Sequence, residues 1–183
     1  KKYGVPGIVF LDEPALAGFG SSAFISVSRD EIDACFAEVI SAIHEEGGLA
    51  GVHVCANAEW SVILDSAADI VSFDAFSYFD KFILYADSLR RFLDSGRILA
   101  WGIVPTSDFT GNESVEYLFS KLDDGLNRVY EWGIDPALLA ERSSGASPTC
   151  TWIASSPLSA ATASSVARPS VRFACRPRAP RSI

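Results

Sequence analysis

Apolar and polar positions follow two rhythms along this chain, and the switches between them mark out its elements. Gly7-Ile8-Val9-Phe10-Leu11 is a continuous apolar run, which predicts a buried strand of parallel-sheet type from Val5 to Asp12. A helix is expected after Ser28: Ser28-Arg29-Asp30-Glu31 has the form of a capping box, and Ile32, Cys35, Phe36, Val39, Ile40 and Ile43 fall on one helical stripe. That stripe assigns Cys35 to the core, while His44, near the helix C-terminus, reads as a surface residue favoured by the helix dipole. Neither carries assigned chemistry. The pair Gly47-Gly48 ends the helix, and Leu49 to Cys55 forms a second apolar strand. A short helix over Trp60 to Ser66, a strand over Asp69 to Asp74 and a helical stripe over Phe82 to Leu93 follow. A fourth strand, Ile98 to Val104, is stopped by Pro105, and a long helix from Ser114 to Trp132 is ended by Gly133.

Four consecutive β/α units predict an α/β fold with a parallel sheet and helices outside it, either open or closed as a barrel. Four units supply about half of an eight-stranded (β/α)8 TIM barrel. On the barrel reading residues 1–142 are its C-terminal half, with the other units expected before Lys1 and the last where the C-terminal segment runs. The chain enters its first strand almost at once, with no initiator Met and no signal-peptide core, and so reads as cut from something longer.

Composition changes this picture at one end. The chain has 183 residues and a net charge of −8, but residues 143–183 hold five Arg and no acid, which leaves −13 over residues 1–142. So acidic a body is a poor nucleic-acid binder, and no stretch is long and apolar enough to span a bilayer. The last 41 residues contain ten Ser, eight Ala and five Pro without a sustained period, the composition of a disordered tail. It reads either as a basic linker or partner-binding arm, or as coding sequence read out of frame, the second being preferred. Four widely spaced cysteines, at 35, 55, 150 and 175, do not make a disulfide framework and point to a cytoplasmic protein with reduced thiols.

Chemistry gathers at the strand ends, where parallel α/β folds place their active sites: Asp12 and Glu13, then His53 and Cys55, then Asp74, then Thr106 and Ser107. In a strand, His53 and Cys55 point to the same face, and imidazole and thiolate are donors that zinc accepts. The same spacing also suits a hydrogen-bonded core histidine beside a small buried thiol. Asp12 and Asp74 equally suit helix capping or turn formation.

Three motifs in order carry a resemblance. Phe10-Leu11-Asp12-Glu13-Pro14-Ala15-Leu16 resembles the DEPAL strand end of the C-terminal catalytic barrel of cobalamin-independent methionine synthase, within the uroporphyrinogen decarboxylase and methionine synthase-like superfamily. His53-Val54-Cys55 matches that family's zinc-binding H-x-C, and Ala68 to Asp74 is similar to its ADVI-type strand, which ends on an acidic ligand. Here Asp74 stands where the family has Glu, one methylene longer. Ser147-Pro148-Thr149-Cys150 resembles the setting of the last cysteine ligand, although Thr151 and Trp152 replace its glycine-rich continuation. The resemblance covers about residues 3 to 150. His53, Cys55, Asn57 and Cys150 also fit the H-x-C-x-N and later cysteine of corrinoid-linked methyltransferases acting on small thiols, and uroporphyrinogen decarboxylase shares the barrel without the metal.

The resemblance implies a methyltransferase in which Zn2+ is held by His53, Cys55 and Cys150, with Asp74 a further candidate ligand and a candidate substrate-binding residue. It implies that Asp12, assisted by Glu13, holds the amino group of homocysteine, and that the methyl donor is a methylated folate or a methylcorrinoid on a corrinoid protein. A catalytically inactive barrel fragment is the alternative of a different class.

Overall fold

The computed structural model describes residues 7–18, 27–105, 110–147 and 150–152, with the side chains of 144–152 left out. Strand β1 (Ile8–Asp12) is followed by a 3-10 turn at Pro14–Gly18, helix α1 (Arg29–Glu45), β2 (Leu49–Val54), α2 (Trp60–Leu64), β3 (Ile70–Phe73) and α3 (Ala75–Phe82). A 3-10 turn at Ile83–Tyr85 leads into α4 (Ala86–Asp94), then β4 (Ile98–Trp101), α5 (Val115–Glu131), α6 (Pro136–Arg142), β5 (Ser143–Ser147) and β6 (Cys150–Trp152). The fold is α/β, as expected, and its sheet runs β1-β2-β3-β4-β5-β6. Each pairing from β1 to β5 is parallel, and β6 turns back antiparallel to β5.

The sheet therefore runs past the composition boundary at residue 142. Helix α6, capped by Asp135 and opened by Pro136, helix α3 and strands β5 and β6 all lack a counterpart among the expected elements, and the helix expected over Phe82 to Leu93 is divided, with Phe82 ending α3, a 3-10 turn at Ile83–Tyr85 and α4 beginning at Ala86. Residues 153–183, and with them Cys175, lie outside the described residues, as do Thr106 and Ser107. No helix among the described residues is long and apolar enough to cross a membrane.

Alternation within the strands sets the core. Ala50, Val52 and Val54 from β2, Val71 and Phe73 from β3, and Leu99 and Trp101 from β4 face one way, into a single cluster with Trp60, Phe82, Leu89, Phe92 and Leu139. Phe73 stacks on Phe82 with centroids 4.0 Å apart, and Trp60 meets both rings edge-on. The opposite face includes small residues, Gly51 in β2, Ser72 in β3 and Ala100 in β4. Gly51 is the sharpest case, since a Cβ there would lie 2.6 Å from the Phe10 ring, which covers it from β1.

The capping box of α1 forms as expected. Ser28 Oγ accepts from the Glu31 N–H, and the Glu31 carboxylate accepts from the Ser28 N–H and from the Ser28 hydroxyl, two bonds that hold the Glu31 carboxyl below its ordinary value. Gly47 leaves the helix at φ 73°, a conformation that costs any residue with a Cβ. The expected α1 stripe is only partly buried: Phe36 and Ile40 are buried, whereas Cys35 and Val39 are exposed. The assignment of Cys35 to the core is thus corrected. Six positions make a stripe wider than the sheet can cover, and its outer side lines an apolar groove of about 280 Å³ with Leu11, Leu16 and Val27.

His44 also does more than meet the helix dipole. Its Nε2 lies 2.7 Å from Asp69 Oδ2, which accepts from the Ala50 N–H at 2.7 Å as well. One carboxylate thus ties the end of α1 to the start of β2, at the sheet end remote from the strand C-termini. Hydrogen bonds to a charged group contribute about 1.5–3 kcal/mol. Asp69→Ala is accordingly expected to cost about 2 kcal/mol, read as a lower urea midpoint at unchanged slope. An unchanged midpoint would mean that the tie contributes nothing.

Candidate functional site

The sheet register brings Asp12, His53, Ser72 and Ala100 into one lateral row: Asp12 pairs with His53, His53 with Ser72, and Ser72 with Ala100. This row lies near the C-terminal ends of the parallel strands, on the face away from the helix-packed core. Within it, His53 Nδ1 lies 3.0 Å from Ser72 Oγ. Ser72 is 7% exposed and is one of two buried polar residues among those described. The ring is half-buried, and with Nδ1 engaged, Nε2 is the nitrogen left for a ligand.

Strand β2 stops at Val54, so Cys55, the expected last residue of the strand, falls one residue past its end, where the pleat no longer fixes side-chain direction. Its thiol is free and exposed. The following loop, which carries the exposed Asn57, is anchored at Glu59. One Glu59 oxygen accepts from Ser61 Oγ at 2.7 Å and the other from the Tyr85 hydroxyl at 3.0 Å, while Arg29 Nη1 donates to Ser61 Oγ at 2.9 Å. Burial, then the hydrogen bond that its hydroxyl donates to Glu59 and the charge of that carboxylate, push the Tyr85 phenol up from its ordinary value. Sequence reasoning missed this network because Arg29 and Tyr85 lie 32 and 26 residues from their partners. Ser72 left a legible signal, a lone hydroxyl in the middle of an apolar strand.

The acidic candidates part company. Asp12 is exposed and stands in the row beside His53. Glu13 donates its backbone N–H to the His53 carbonyl at 3.0 Å, extending the strand pairing by one residue, and lines the apolar groove beside α1. Asp74 is the N-cap of α3, its Oδ1 accepting from the Ser77 N–H at 2.9 Å. The turn that holds Asp74 is clasped by Gly102, whose N–H donates to the Phe73 carbonyl at 3.0 Å and whose carbonyl accepts from the Phe76 N–H at 3.1 Å. A Cβ at Gly102 would come within 2.8 Å of the Phe73 carbonyl oxygen.

Cys150 opens β6, four strands from β2 in the sheet order, and its side chain lies outside the described residues. Among the described residues no three His, Cys, Asp or Glu side chains gather closely enough to hold a metal. What the described residues supply is a pair of donors that zinc accepts, the free Nε2 of His53 and the exposed thiol of Cys55.

No family model, no curated protein and no solved structure matches the chain.

Proposed function

We propose that this chain is part of a zinc-dependent thiol methyltransferase of the cobalamin-independent methionine synthase type, methylating homocysteine to methionine. The observation that carries the proposal is His53. It presents an imidazole at the C-terminal end of a central parallel strand, with Nδ1 engaged by a buried hydroxyl and a free thiol two residues on. The strand order supports a partial barrel, because five parallel strands follow one another without the reversal that marks a doubly wound sheet.

His53, Cys55 and Cys150 would hold the metal, with Asp74 able to join only by leaving its cap. Bound zinc supplies Lewis acidity that keeps a substrate thiol ionised near neutral pH, where a free thiol of pKa about 8.5 is mostly protonated. The chain's own residues orient the partners. Asp12, exposed in the row of His53, offers a carboxylate to the substrate ammonium through a charge-assisted hydrogen bond. Glu13 fixes that strand end through its backbone bond to His53. In the transfer a sulfur–carbon bond would form as the bond from the methyl group to its carrier breaks; the carrier keeps the bonding electron pair, so a folate nitrogen takes up a proton that replaces the one given up by the thiol, whereas a corrinoid leaves reduced by that pair and the thiol proton goes to solvent.

The test is zinc per chain after gentle purification, with Cys55→Ser prepared alongside, followed by homocysteine consumption with each methyl donor. About one zinc, lost in the variant, with donor-dependent loss of thiol, is the expected result. Well-folded protein without zinc would overturn the proposal in favour of a metal-free, decarboxylase-like barrel.

A further inference from the structure

We infer that Ser72 is a positioning residue that holds the His53 imidazole through Nδ1, so that Nε2 is the nitrogen presented to a ligand at the strand ends. The inference rests on the zinc reading for its use, but not for its geometry. The two residues are lateral partners on adjacent parallel strands, and their polar atoms lie 3.0 Å apart. Every other residue of β3 is apolar, so Ser72 places a single hydroxyl inside a strand that is buried throughout. A hydroxyl there is costly unless it is bonded, and among the described residues His53 is its hydrogen-bond partner.

The neighbouring positions of the row leave the ring little else to lean on. Ala100, next beyond Ser72, is a methyl group, and Asp12, on the other side of His53, is exposed. Without the Ser72 oxygen the imidazole loses the contact that distinguishes its two nitrogens, and rotation about the Cβ–Cγ bond can exchange which of them faces outward. A hydroxyl both accepts and donates, so it can hold Nδ1 whether that nitrogen carries the proton or, in another tautomer, does not. Were a metal held there, Nε2 would be the nitrogen that ligates it, with Nδ1–H donating to Ser72 Oγ. Outer-shell partners of this kind change metal affinity by about 10–100-fold when removed.

The experiment compares wild type, Ser72→Ala and Ser72→Thr in the full chain with two readouts. The first is carboxymethylation of metal-free protein by bromoacetate after reversible thiol blocking, with the site of attack on His53 located in its peptide. Wild type and Ser72→Thr should react at Nε2, and Ser72→Ala at both nitrogens. The second is titration with Co2+ as a spectroscopic stand-in for zinc, where Ser72→Ala should bind about tenfold more weakly and Ser72→Thr should recover most of the loss. Attack at Nδ1 in wild type, or the same regiochemistry in wild type and Ser72→Ala, overturns the inference. Should wild type bind no Co2+ while the regiochemistry follows Ser72, the positioning role stands and the zinc reading falls. Circular dichroism and urea midpoints for each variant separate a misfolded chain from a misdirected ring.

Discussion

His53→Ala is expected to strip the chain of stoichiometric zinc, whereas His44→Ala keeps it. Two features make the contrast sharp. His53 has a nitrogen free at the end of the strands where the other candidate groups stand, while the Nε2 of His44 is committed to Asp69 at the opposite end of the sheet. Loss of a ligand should weaken zinc binding by about 100-fold or more, beyond the range for outer-shell changes. Metal content by elemental analysis and affinity by competition with a chelator read this directly. His44→Ala serves as a matched control, since it too removes an imidazole and should cost stability through the Asp69 tie. Equal zinc in the two variants would refute the assignment of His53.

The second large effect is expected at the sheet edge. Strand β1 stands first in the sheet order, yet Ile8, Val9 and Phe10 are 56%, 46% and 45% exposed. An apolar strand with an open row of N–H and C=O groups is a template for pairing with another chain, and natural edges are commonly blunted by charge. Beside it lies the groove lined by Leu11, Val27 and Val39. The chain is therefore expected to associate in solution, and Val9→Lys is expected to shift most of it to monomer at the same concentration. Light scattering coupled to size exclusion gives the answer. A monodisperse wild-type monomer with a sharp cooperative melt would count against this account of the edge.

Much of the scaffold could be read from the amino-acid order because its signals are local. The capping box at Ser28, the apolar runs at Ile8, Leu49, Ile70 and Ile98, and the stop at Gly133 each sit within a turn or a strand of their effect, and these elements differ from the reading only at their ends, whereas α3 was missed and the helix expected over Phe82 to Leu93 is broken before Ala86. What escaped was non-local or compositionally weak. Strand β5 is Ser-Ser-Gly-Ala-Ser, with no β-branched or aromatic residue, and is recruited by pairing with β4. Helix α6 is seven residues long, too short to show a period. Cys35 was misplaced because periodicity reports which side of a helix is apolar, not how much of that side finds a partner. At the site, the sequence pointed to His53 and Cys55, but the register that sets Asp12 and Ser72 on either side of His53 belongs to the sheet. The capping of α3 by Asp74 was visible beforehand as one of two roles that its position allows.

The Phe10 ring over Gly51 also predicts how these two positions will vary. Any side chain at 51 must displace the ring, and since the ring belongs to an edge strand it can swing away more cheaply than a central residue could. In a library randomised at both sites, survivors with a larger residue at 51 should carry a smaller one at 10, and those that keep glycine should accept several aromatic or branched residues there. Positions 10 and 51, forty-one residues apart in the chain, would then behave as one heritable unit.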